Sequence, residues 1–93
     1  MDMQTDKNAV RSLRFTGLSG VKHVVGAKQI RKALNAGSAR QVYLAKNADP
    51  AIIEPLIALC RHHCVEYAWV KSMADLGQAC GIEVGAAAAA VVA

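Results

Sequence analysis

Aromatic side chains are scarce in this chain, at 4% of 93 residues, so a core has to be built from Val, Ile, Leu and Ala. Long apolar runs are missing as well. No uninterrupted stretch reaches the roughly 20 residues that a bilayer span requires. The opening MDMQTDKNAVRSLRF has no apolar h-region, which excludes a secretory signal there. Cysteines number three, an odd count that argues against a disulfide framework and points to a reducing cytoplasm. Acidic residues are outnumbered, seven against eleven Lys and Arg, which gives a formal net charge of +4 and a pI near 9.2. That balance admits a nucleic acid or an anionic membrane as partner without establishing either. No phosphate-cradling P-loop is present. The carboxylates are scattered and no nucleophile sits in a recognisable elbow, so no catalytic constellation emerges. No internal repeat is visible.

What is present is a hydrophobic fraction of 54% in a length that suits one domain with one modest core. Residues 1–13 are polar and charged without a stripe and read as a mobile N-terminal tail, leaving 14–93 as a single domain. Leu18 to Lys22 reads as a short helix weakened by Gly17 and Gly20. Lys22 to Val25 reads as a short strand feeding Gly26. From Ala27 the period changes: Ala27, Ile30, Ala33 and Leu34 fall at helical spacing, and Gly37 is available to close that helix. Gln41–Ala45 reads as a strand buried on both sides. Asp49 and Pro50 then form a helix start, as N-cap and first helical residue. Ile53, Leu56, Ile57, Cys60 and Cys64 extend its apolar stripe. Pro55 lies inside this helix and predicts a local bend or a delayed start. Val65–Val70 reads as another strand. Ser72 with Asp75 resembles a capping box that opens a helix with Met73, Leu76, Gly77 and Cys80 inward and Gly81 as its stop. The tail GAAAAAVVA is ambiguous: alanine favours helix, whereas the two terminal valines and a sheet neighbour favour strand. Strands alternating with helices give an α/β sandwich.

Three segments are candidates for chemistry. The first is VGAKQIRKAL, residues 25–34, where a helix opens at Gly26 with Lys28, Arg31 and Lys32, three cations within five residues. The helix macrodipole disfavours cations near its start and favours anions. These charges are therefore either solvated or held for an external anion. Free N–H groups of the first turn would add donors, and Gly26 would let a bulky partner approach the backbone. Lys and Arg would contact phosphates, and Gln29 has the donor and acceptor to read a base edge. The second candidate is Cys60-Arg-His-His-Cys64, whose density invites a zinc reading. Cys60 and Cys64 nevertheless fall on the apolar stripe, where free cysteine behaves as a small hydrophobe. Both are expected to be buried and metal-free, and no CxxC spacing supports redox chemistry. The third is Gly81-Ile-Glu-Val-Gly85, a short apolar loop between two glycines. Burial is its plain reading; exposed, it would offer an apolar surface to a splayed base.

Taken together, VGAKQIRKAL, VYLAKNADP, VKSMADLGQACGIEVGAA and the Ala/Val tail resemble the ribosomal protein L7Ae family, which includes the eukaryotic L30e proteins. The likeness is greatest to its small bacterial YbxF-type members. It runs from about Leu18 to Ala93, and SMADLGQACGIEVGAA is its most specific part. The resemblance implies a three-layer α/β/α sandwich around a four-stranded mixed sheet. It also implies binding of kink-turn RNA, a duplex bent at a bulge flanked by sheared G·A pairs. Gly26, Lys28, Gln29 and Lys32 would then lie on the helix that enters the widened major groove. Ile82, Glu83, Val84 and Gly85 would lie on the loop that packs on the extruded nucleotide. Archaeal members commonly carry Asn-Glu where this chain has Lys28-Gln29, a swap that removes an acceptor carboxylate and adds a cation.

The expectation is a cytoplasmic, monomeric RNA-binding protein, ribosomal or ribosome-associated, with no enzymatic activity, cofactor, metal or membrane partner. The tail becomes a strand. The rival is a protein-interaction adaptor on the same fold, which a negative helix-opening face would favour. A zinc-dependent or redox protein is a weaker third reading.

Overall fold

The computed structural model describes Leu18 and residues 20–93; the expected tail, residues 1–13, lies outside the described residues. In chain order the elements are β1 (His23–Val25), α1 (Ala27–Ala36), β2 (Ala39–Ala45), α2 (Pro50–His62), β3 (Tyr67–Val70), α3 (Met73–Cys80) and β4 (Ala88–Val92). The strands form one mixed sheet in the order β1-β4-β2-β3. β4 is antiparallel to both β1 and β2, and β2 is parallel to β3. Helix α1 packs on α2 and over β1, β2 and β4, while α3 lies against β2, β3 and β4. The register places Val24, Ala90 and Val42 side by side on one face and Val25, Ala89 and Tyr43 on the other. The result is the three-layer α/β/α sandwich with a four-stranded mixed sheet.

The alanine-rich tail forms an inner strand. Ala88, Ala89 and Ala90 are fully buried, with a hydrogen-bonded neighbour on each side. Alanine prefers a helix over β-branched residues by at most about 0.7 kcal/mol per residue, and so short a helix is marginal in isolation. Two ladders of backbone hydrogen bonds outweigh that preference. Small side chains on both faces also let helices close on the sheet from both sides. Ile30, Leu34, Leu44, Leu56 and Leu76 fill the remaining core and are buried to 1% exposure or less.

Two local expectations need correction, and of the two alternatives at Pro55, a bend or a delayed start, the delayed start falls away. Leu18 to Lys22 is not a helix among its described residues: Val21 N–H donates back to the Leu18 carbonyl at 3.1 Å in a turn, and Leu18 is buried. Its own N–H donates to the Ala79 carbonyl, which fastens the chain to the end of α3. The start of α2 is not delayed, because the helix runs unbroken from Pro50 through Pro55. The bond that Pro55 cannot make would have gone to the carbonyl of Ala51, an exposed residue, where solvent is available in its place. Cys64 is exposed rather than buried. Helix α2 stops at His62, and Cys64 follows with a φ of 58°. The Cys64 N–H donates to the Arg61 carbonyl and the Val65 N–H to the Cys60 carbonyl, a Schellman closure that turns the chain off the helix. The apolar stripe therefore ends at Cys60, which is buried as expected.

Candidate nucleic-acid interface

Sheet topology gathers the candidate residues. β1, β2 and β3 all run toward the same edge of the sheet, and β4 begins there. Each parallel strand is followed by a helix, so all three helices open at that edge. Helix N-termini carry positive partial charge from unpaired N–H groups, and the three are treated differently. In α2 the Asp49 carboxylate accepts from Ala51 N–H at 2.9 Å. In α3 the Ser72 hydroxyl accepts from Asp75 N–H at 3.1 Å, and the Asn47 side-chain oxygen accepts from Met73 N–H at 2.8 Å. Helix α1 has no side-chain cap and no acidic residue in its first turn.

Gly26 occupies the N-cap of α1 with φ 100° and ψ 149°, a backbone conformation open mainly to glycine. Its own N–H donates to the Ala88 carbonyl at 3.1 Å, which pins the helix start to β4. A Cβ at this position would meet nothing within 4 Å, so the backbone lies open to a partner. Lys28, Gln29, Arg31 and Lys32 are all exposed, whereas Ile30, Ala33 and Leu34 face the core. No carboxylate among the described residues pairs with these cations. An uncapped positive helix end with unpaired cations on its outer face has the chemistry of an anion receptor.

The loop Gly81–Gly85 is exposed, which settles the choice between burial and display. Ile82 is 36% exposed and Val84 70%. Display follows from what sits beneath the loop. A Cβ on Gly77 would collide with the Val84 carbonyl oxygen and come within 3.1 Å of Gly85 Cα, so the loop backbone lies directly on α3. Gly85 is packed against Met73, whose Cβ would lie 3.1 Å from a Cβ added there, and Ala86 N–H donates to the Met73 carbonyl at 3.0 Å. Gly81, left-handed at φ 79°, closes α3, and Ile82 N–H returns to the Gly77 carbonyl. With backbone filling the space under the loop, the side chains of Ile82, Glu83 and Val84 point to solvent. Gly85 lies three residues before Ala88, about 10 Å along an extended chain, and Ala88 holds Gly26. The two candidate segments are thus neighbours at one edge. Lys46 and Lys71, exposed and immediately after β2 and β3, belong to the same edge. Sequence reading did not single them out, since only the parallel β2–β3 pairing brings them together.

Among the described residues no group of His, Cys, Asp and Glu is arranged to hold a metal ion. His62 and His63 contact each other edge to face at 4.8 Å, and His63 bonds to Asn35 at 3.2 Å across the closing ends of α1 and α2. No described helix is long and apolar enough to cross a membrane.

Comparison with known proteins gives concordant results. A 69-residue match at 45% identity joins 74% of this chain to 84% of an RNA-binding protein of Bacillus pumilus. The RNA-binding protein YbxF of Geobacillus stearothermophilus is 44% identical over 75 residues, 81% of this chain and 92% of its own. Among solved structures, the Giardia lamblia 15.5kD RNA binding protein superposes with a TM-score of 0.73 at 32% identity, over 77% of this chain and 61% of that one. Residues 17–93 match the profile of the Ribosomal protein L7Ae/L30e/S12e/Gadd45 family, and the chain belongs to that family.

Proposed function

We propose that this chain is a non-enzymatic, cytoplasmic RNA-binding protein that recognises kink-turn RNA, as a ribosomal or ribosome-associated component. One observation carries the reading: an uncapped, cation-bearing helix start stands beside an exposed apolar loop at one sheet edge. Relatives that bear the name RNA-binding protein support the partner class.

The two elements divide the work. Phosphate contacts from Lys28 and Lys32 supply affinity that carries no sequence information. Gln29, one turn from Lys32, presents an amide to a base edge. The loop selects shape, because an apolar surface at Ile82 and Val84 favours a base thrown out of the stack, and a straight duplex offers none.

The test is a pair of titrations with folded variants, on a kink-turn RNA and on a straight duplex of equal length, at several salt concentrations. A Lys28/Lys32 double alanine variant should bind both RNAs more weakly, with the salt slope reduced by about two phosphate contacts. Val84→Asp should lower the preference for kinked RNA by about tenfold, within the roughly 1–3 kcal/mol that a base contact is worth. Equal losses on both RNAs for Val84→Asp would remove the loop from recognition. A wild-type protein indifferent to the kink would favour a protein-interaction adaptor instead.

A further inference from the structure

The RNA-binding reading concerns the edge where α1 opens. A second feature begins there and runs away from it. Between α1 and the strands β1 and β4 lies an open groove of about 340 Å³, lined by Lys22, Val24, Gln29, Lys32, Ser38 and Ala93 among others. Lys22 enters β1 and accepts the Val92 N–H on its carbonyl, so its position is fixed by the sheet. Strand alternation puts Lys22 on the same face as Val24, the face that α1 covers. Lys32 overhangs from the helix side. Both lysines are exposed, and neither pairs with a carboxylate among the described residues.

The groove is a continuation of the helix-opening surface. Gln29 lies in the second exposed position of α1 and forms the upper end of the groove, whereas Ala36 and Ser38 form the lower end. From Gln29 to Ala36 the helix rises about 10 Å, a span that a nucleic-acid strand crosses in about two nucleotides. Among the described residues β1 is an edge strand with no neighbour beyond it, so no described strand closes the groove on its outer side.

We infer that this groove is a phosphate track, with Lys22 and Lys32 as its two rails, for one strand of the RNA stem that leaves the helix-opening site. The inference rests on the RNA-binding reading and adds a contact, Lys22, outside the helix and the loop. It also sets a length requirement: the stem on that side must continue at least two nucleotides past the position read by Gln29.

The experiment compares Lys22→Ala with the unaltered protein on two kink-turn RNAs. One has long stems, and the other is trimmed to one or two base pairs on each side of the kink. Lys22 is exposed and its backbone bond is unaffected, so the variant should fold; circular dichroism and a melting curve check this. On the long RNA, Lys22→Ala should bind about three- to tenfold more weakly at low salt, with the salt slope shallower by about one contact. On the trimmed RNA both proteins should bind alike. Unchanged affinity and slope on the long RNA would overturn the track, as would equal losses on both RNAs, which would place Lys22 at the kink itself. If unaltered protein prefers kinked RNA while Lys22→Ala is inert, the track falls and the RNA-binding reading stands. If unaltered protein shows no preference for the kink, both fall.

Discussion

Cys64 holds a left-handed φ of 58° on an exposed side chain, at the position where Gly37 and Gly81 close the other two helices. A Cβ in this conformation costs about 1–2 kcal/mol, and an exposed thiol recovers little of that through packing. Part of the gain from glycine is lost to the greater freedom of the unfolded chain. Cys64→Gly should therefore raise stability by about 0.5–1 kcal/mol in urea denaturation, with RNA affinity unchanged, since Cys64 lies at the opposite end of α2 from the candidate interface. A loss of stability would show that the thiol makes a contact worth more than the strain. The mistaken expectation of burial has a simple origin. Residues 60 and 64 are one turn apart only if the helix continues, and nothing in CRHHCV marks a stop by glycine or proline. The stop is made by backbone hydrogen bonds instead.

At the scale of elements, α3 and the loop that follows it act as one unit. Gly77 is buried in mid-helix, where glycine is about 1 kcal/mol worse than alanine. Its place is explained by the loop backbone lying where a Cβ would be. Gly77→Ala forces backbone apart, and overpacking of this kind costs about 1–3 kcal/mol, more than the gain in helix propensity. The variant should be destabilised by about 1–2 kcal/mol and, where still folded, should lose preference for kinked over straight RNA more than affinity for either. Amide exchange at Ile82 and Ala86, whose N–H groups bond to α3, should speed up in parallel. Intact exchange protection together with lost preference would mean that the loop is displaced without being loosened. In the sequence, Gly77 reads as an inner-face residue of a helix; that it is a seat for the loop depends on contact across the turn.

For the whole molecule, the core carries two thiols that the interface does not use. Burial pushes Cys60 and Cys80 above their ordinary value of 9.0. Below about pH 9 both groups keep their protons in the folded and the unfolded chain, and they add no pH dependence. As pH rises past 9 the unfolded chain releases those protons first, so it is favoured and stability falls. Urea midpoints at about pH 7 and pH 10 should show this decline. Cys60→Ala should cost stability at pH 7, through a lost buried sulfur, yet decline less between the two pH values. An equal decline in the variant would remove Cys60 from the effect.

Period and punctuation fixed much of this protein in advance. Asp49 and Pro50 open a helix, Ser72 caps another, Gly37 and Gly81 end two, and the stripe Ile30, Ala33, Leu34 names a buried face. These are local rules in which a residue and its near neighbours determine the backbone. The helix start at Gly26 and its cations were legible for the same reason. The display of Ile82 and Val84, the strand formed by Ala88–Val92 and the exposure of Cys64 were decided by tertiary structure. Each depends on what stands across from it: a helix backbone under the loop, strands on both sides of the alanines, and a chain reversal after His62. The convergence of Gly26, Lys46, Lys71 and the loop on one sheet edge is likewise a product of strand order. A one-dimensional pattern carries no record of which strands become neighbours, because that choice is made by burial and hydrogen bonding between segments far apart in the chain.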